Sequence, residues 1–302
     1  ALIDVLTYKG QQIETLNHQF LHQEYTISPK IFGKNLFASE SRLQKKLSPK
    51  FIKIPFTADQ YDYYKEQWLT NNGGTYSQVI MNHIQENDII LFNAEGSTYR
   101  KNFGSLAGLF ILYLASSVFR KKSYFINGSV SVTSIDNTLE AIINKVYSSN
   151  VDFSVREPYS YRNLLKIGIK SKIIPDSVFY YAKEARDIQH KKNKYFAVSK
   201  SMLPMLIDEK NKVNDPFINL IVKISEKTGL YPILLSRDPE DKVLITIKKY
   251  IKESKICSGD NINFKEVQKI ISQCNFLISG RYHHLIFGAN TKPPLCFMGS
   301  TS

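Results

Sequence analysis

The chain has 302 residues, 43% of them apolar, with Tyr and Phe each used 18 times; this excludes a globally disordered polypeptide and leaves ample core for one large or two ordinary domains. Cys257, Cys274 and Cys296 are odd in number, far apart and without metal-ligand spacing, which argues against a disulfide framework and for buried thiols in a reducing compartment. A formal net charge of +13 asks for an anionic partner or a solvated lysine-rich surface.

Residues 1–85 are the least legible in the chain, and "NNGG" (Asn71 to Gly74) reads there as a loop. No charged-then-apolar leader opens the sequence. From Asp88 onward strand-like and helix-like segments alternate. "DIILFN" (Asp88 to Asn93) reads as a buried strand, followed by a polar turn and an apolar helix from about Ser105. The longest nearly apolar run, Leu106 to Phe119, has 14 residues. A membrane-spanning helix needs about 20, so a buried helix is expected.

"SYFING" (Ser123 to Gly128) is the next strand, and a helix carries Leu139, Ile142, Ile143 and Val146. "DFSVRE" (Asp152 to Glu157) is a third strand, and its helix runs to a capping Gly168. A second series opens with the strand "YFAVS" near Tyr195 and a helix over Asn214 to Lys227. The strand "YPILLS" (Tyr231 to Ser236) comes next, then helices at Lys242 to Lys252 and Phe264 to Cys274. The strand "NFLISG", the helix "HHLIFGA" and the strand "PLCFM" complete it. Two such series predict two α/β domains with mostly parallel sheets, placed at residues 1–180 and 181–302. Ligands of such domains bind beyond the carboxyl ends of the strands.

Polar residues at strand-to-helix junctions are structural pins or a site, and three junctions stand out. They are "LFNAEGSTYR" (Leu91 to Arg100), "VREPYSYRNLLKIGI" (Val155 to Ile169) and "ISGRYHHL" (Ile278 to Leu285). Together with "IIPDSVF" (Ile173 to Phe179), their order resembles the polysaccharide pyruvyl transferase family. That family carries a strand-end "GEG", an "REP-S" element, a "PD" strand and a late "SGR-H" motif. The resemblance runs from Asp88 to Met298, with Ala94 standing at the first Gly of "GEG".

The resemblance implies two Rossmann-like domains facing a cleft, as in two-domain glycosyltransferases of the GT-B type. It also implies transfer of a pyruvyl group from phosphoenolpyruvate to two sugar hydroxyls, making a cyclic ketal of a surface polysaccharide or its precursor. The first domain would take the acceptor and the second the donor. Such chemistry needs cations and helix N-termini for a trianionic donor, an acid for the methylene carbon and a base for the hydroxyls.

By the motif match, Arg281 binds phosphate or carboxylate, and Ser279 and Gly280 beside it are substrate-binding residues. His283 acts as acid or phosphate ligand. Helical spacing favours His284 instead, because positions 281 and 284 share a face when both are helical; the motif is preferred if Arg281 still lies in the turn. Arg156 would bind substrate or else pair with Glu157. Glu95 would act as base or else stabilise a helix N-terminus. Asp176 would join the site or fix the chain between domains.

No paired metal ligands are present in the sequence, so neither metal nor cofactor is expected. Basic clusters at Phe119 to Phe125 and His190 to Lys194 suit an anionic membrane, a lipid-linked acceptor or an acidic glycan. Nucleic acid is not expected, for want of a binding motif. The expected location is the cytoplasm, with peripheral contact at the inner face of the membrane. Two rival readings remain: a glycosyltransferase of the same build using a nucleotide sugar, and a non-catalytic glycan-binding protein.

Overall fold

The structure is a computed structural model that describes residues 52–74, 77–94, 103–131, 137–176, 178–179, 194–199, 216–236, 242–258, 264–291 and 295–297. The chain divides after Asp176 into two compact units, each built on its own parallel sheet.

In the first unit, helices α1 (Tyr61–Leu69) and α2 (Ser77–Glu86) precede β1 (Ile89–Asn93). Then come α3 (Phe103–Ser117), β2 (Lys122–Gly128), α4 (Asn137–Ser148), β3 (Val151–Val155), α5 (Pro158–Lys166) and β4 (Ser171–Ile173). The strands lie in chain order β1-β2-β3-β4, all parallel. Parallel neighbours need crossovers, and right-handed ones taken always in the same direction bring the helices to one face. That face is the core, where Phe92, Phe125, Phe153 and Val155 meet α3 and α4. On β1 the alternate residues Ile89 and Leu91 are exposed.

Helix α3 is apolar almost all round because it is buried almost all round, with Leu106, Leu109, Phe110, Leu112 and Leu114 at 1% exposure or less. Among the described residues no helix is long and apolar enough to cross a membrane. Helix α1 escapes a sequence reading because its core residues are only Tyr61 and Trp68, two turns apart. They anchor it on Phe110 by edge-to-face ring contacts. Gly168 caps α5 as expected, with φ of 80°. Its amide donates to Leu165 O at 3.1 Å and the Ile169 amide to Leu164 O at 3.0 Å, the paired bonds of a Schellman ending.

The second unit contains β5 (Tyr195–Ser199), α6 (Pro216–Thr228), β6 (Tyr231–Ser236), α7 (Lys242–Tyr250) and β7 (Lys255–Ser258). It continues with α8 (Phe264–Gln273), β8 (Leu277–Ser279), α9 (Tyr282–Thr291) and β9 (Leu295–Phe297). The sheet order is β7-β6-β5-β8-β9, all parallel. The chain thus steps outward from β5 to β7, then returns to lay β8 on the other side of β5. Two separate clusters reflect this double winding. Phe196, Val198, Leu234 and Ile278 pack on α6 and α7; Ala197, Ile233, Leu235 and Leu277 pack with Ile271 of α8, Cys274 just after it and Phe287 of α9. Strand β7, missing from the sequence reading, is a four-residue edge strand, "KICS", too short to show a period.

Candidate functional site

The reversal of strand order between β5 and β8 is a topological switch point, where open α/β sheets leave a crevice beyond the carboxyl ends of the strands. Ser199 ends β5 and Ser279 ends β8. Both are fully buried, and their hydroxyls share a hydrogen bond of 3.1 Å. The Arg281 amide donates to Ser279 Oγ at 3.0 Å, and the Leu285 amide donates to Arg281 O at 3.1 Å. Arg281 is therefore the N-cap of α9, still in the turn, with its backbone fixed on both sides. The amide dipoles of the first turn of α9 point out beside it, a setting suited to an anion.

The conflict between the two histidines resolves through this geometry. With Arg281 outside the helix, residues 281 and 284 do not share a helical face. His283 lies against Tyr282, with ring centroids 5.8 Å apart. His284 turns inward and stacks on Phe287 at 6.5 Å. Its Nδ1 is shielded from solvent and has no hydrogen-bond partner among the described residues. Burial first, then the charges of Arg281 and His283, push its pKa down to about 4. His284 is thus a neutral imidazole at neutral pH.

In the first unit Arg156 follows β3, and the predicted strand end at Glu157 moves back to Val155. Its amide reaches Gly128 O at 3.3 Å. Its Nη1 donates to Asp176 Oδ2 at 3.0 Å and its Nε to Ser129 Oγ at 2.9 Å. The Asp176 side chain is 0% exposed and that of Arg156 12%. Glu157 stands 3.5 Å from Arg156 Nε and accepts from Ser129 Oγ at 3.1 Å and from Ser160 Oγ. Pro158 opens α5 at its first turn, where the missing N–H costs nothing. Arg156, Asp176 and Glu157 therefore form one ionic network with Ser129 and the buried Ser160.

Glu95 lies outside the described residues, and with it the "GEG"-like turn; Ala94 just before it is buried. Ser279, Gly280, Arg281, His283 and His284 come together in the second unit, and Arg156 and Asp176 come together in the first. Ser199, Ser129 and Ser160 were missed as members of these clusters. The "REP-S" resemblance pointed to Ser160, whereas nothing local marks Ser199 or Ser129.

The family model for polysaccharide pyruvyl transferase matches residues 25–300. Comparison with curated proteins gave no match, and comparison with solved structures gave none either. Spanning nearly the whole sequence, the family match together with the strand-end motifs shows that this chain belongs to the polysaccharide pyruvyl transferase family.

Proposed function

We propose that the protein transfers the pyruvyl group of phosphoenolpyruvate to two hydroxyls of one sugar in a surface polysaccharide or its precursor, forming a cyclic ketal and releasing phosphate. The family makes the chain a pyruvyl transferase with a saccharide acceptor; the donor, the ketal and the residue roles are our reading. The observation that carries it is Arg281 as N-cap of α9 beyond β8, at the switch point of the second sheet. A planar cation beside a helix N-terminus suits a phosphate or carboxylate better than a neutral sugar.

In this reading the bond from C2 of the donor to its phosphate oxygen breaks, and two bonds from C2 to sugar oxygens form. One hydroxyl proton is balanced by protonation of the methylene carbon to a methyl, and the other leaves on phosphate. His283, beside Arg281, is the proposed proton donor to carbon, and Glu95 the proposed base for the acceptor. Ser279 and Gly280 hold the turn, and His284 supplies a neutral wall that leaves the positive charge to Arg281 and the helix end. Arg156, ordered by Asp176, is the proposed polar anchor on the first unit, which takes the acceptor. The basic surface and a cytoplasmic, membrane-peripheral setting would suit a lipid-linked acceptor.

Thermal stabilisation tests the donor. A ligand at 100 times its dissociation constant adds about 2.7 kcal/mol, so phosphoenolpyruvate should raise Tm while nucleoside mono- and diphosphates leave it unchanged. Arg281→Lys should weaken donor binding about tenfold or more, because a point charge replaces the fork. Stabilisation by a uridine or cytidine nucleotide, with none by phosphoenolpyruvate, would replace this reading with a glycosyltransferase.

A further inference from the structure

Between Pro158 and Pro175 the sequence carries four cations, Arg162, Lys166, Lys170 and Lys172, and no Asp or Glu. All four are exposed, and none makes an ion pair among the described residues. The acids that bracket the stretch, Glu157 and Asp176, are both engaged by Arg156. On α5 the buried residues Ser160, Asn163 and Leu164 turn inward, which leaves Tyr159, Arg162, Leu165 and Lys166 together on the opposite face. Leu165 there is 53% exposed.

Helix α5 packs along β4, joined to it by the turn from Ile167 to Lys170, which buried Ile169 pins. Strand β4 is an edge of its sheet. Ile174 extends its ladder, the amide donating to Val155 O at 2.8 Å. Successive strand residues point to opposite faces, yet Ile173 and Ile174 are 45% and 52% exposed, because no strand covers this edge among the described residues. No other stretch of equal length among those residues exposes as many large apolar or aromatic side chains. Lysines alone suffice to guard an edge strand against stray pairing. The exposed leucine and isoleucines beside them need another reason.

We infer that this corner of the first unit, the outer face of α5 with the β4 edge, docks on an anionic bilayer. Leu165, Ile173 and Ile174 enter the boundary between headgroups and acyl chains, and the four cations meet lipid phosphates. A soluble acidic glycan would satisfy the charges and leave the apolar side chains in water. A second copy paired edge to edge would set Lys170 and Lys172 against their own counterparts, like charges at close range. Docking brings the bilayer near Arg156, one residue beyond Val155, on the unit proposed to take the acceptor. The inference names the surface for the membrane-peripheral setting proposed above and rests on that setting, not on the donor.

The test is co-sedimentation of the full chain, without donor or acceptor, with vesicles of phosphatidylcholine alone and of phosphatidylcholine mixed with phosphatidylglycerol. Binding should require the anionic lipid and weaken with salt. Lys170→Glu combined with Lys172→Glu should lower partitioning about 25-fold or more, at about fivefold for each cation removed. Lys223→Glu combined with Lys227→Glu, exposed on α6, makes the same change in net charge and should leave partitioning within about twofold. Leu165→Trp reports insertion, because the single native tryptophan, Trp68, is fully buried. Brominated acyl chains should quench the new indole on anionic vesicles only. Equal losses in the two double variants would overturn the inference. Binding without quenching would overturn it too, in favour of an acidic polymer, and a dimer in solution that Leu165→Asp dissociates would put a second copy in place of the bilayer. No binding to either vesicle would also overturn it, while leaving pyruvyl transfer, which phosphoenolpyruvate stabilisation tests separately, untouched.

Discussion

The carboxyl edges of the two sheets are built from similar sequence and hold their arginines differently. Each has a buried strand, an Arg just beyond it, and a Tyr within the first two residues of the next helix. On the first sheet Arg156 is locked by Asp176, Glu157 and Ser129, and Asp176 is sealed beneath it. On the second, the Arg281 backbone is fixed at the start of α9 and two imidazoles follow it, one with a buried nitrogen that has no partner among the described residues. The first edge holds its cation with carboxylates of its own. The second gathers positive potential at a switch point. Residue type and local position do not fix what surrounds an arginine; what approaches it in the folded chain does.

The largest effect expected from breaking this contrast is in Arg156→Ala. It removes the cation that pairs with the buried Asp176 carboxylate, a change that costs about 3–5 kcal/mol. Chemical denaturation should show the transition of the first unit moving to lower denaturant. Arg281→Ala should shift stability by about 1 kcal/mol or less while abolishing donor stabilisation. Equal destabilisation by the two variants would erase the distinction drawn here.

The next effect is pH-dependent. His284 is held at about 4 in the fold, against about 6.5 for an unperturbed histidine. Between those values the unfolded chain binds a proton that the folded chain refuses, so stability falls as pH falls. From pH 7.5 to pH 5 the loss should be about 2 kcal/mol from this group. His284→Gln should show a correspondingly flatter pH profile in urea melts, and an identical slope in the two proteins would mean that His284 is not held neutral.

The smallest effect belongs to the surface of the first unit. Asp62 bonds Lys145 at 2.9 Å and the Tyr113 hydroxyl at 2.7 Å. Its carboxyl is held down to about 2, first by Lys145 and then by Tyr113. The side chain is 59% exposed, so Asp62→Ala should cost below about 1 kcal/mol, and less in high salt. A salt-insensitive loss of several kcal/mol would show that exposed and buried ion pairs do not differ here as argued.

Much of the fold was legible because it rests on local periodicity. The strands at Ile89–Asn93, Lys122–Gly128 and Tyr231–Ser236, the buried helix α3 and the Gly168 cap each follow from residues within a turn or two of one another. Helix α1 and strand β7 were not legible, the first having two widely spaced core residues and the second only four residues. At the site, sequence marked Arg281, His283 and His284 but left the histidines in competition. One structural fact, that α9 begins at Tyr282, decides which side chain turns inward.

By itself the sequence determined the alternation of elements, the apolar faces they carry, and the strand-to-helix turns where Arg156 and Arg281 stand. Spacing and side-chain chemistry suffice for that, because each choice is settled within a few residues. Only the tertiary structure decided that β8 lies beside β5, that Asp176 closes on Arg156 across 20 positions, and that His284 Nδ1 is buried with no partner among the described residues. Those outcomes depend on which distant surfaces cover one another, since the energy of a buried charge or an unmet hydrogen bond is set by what surrounds it and not by its neighbours along the chain.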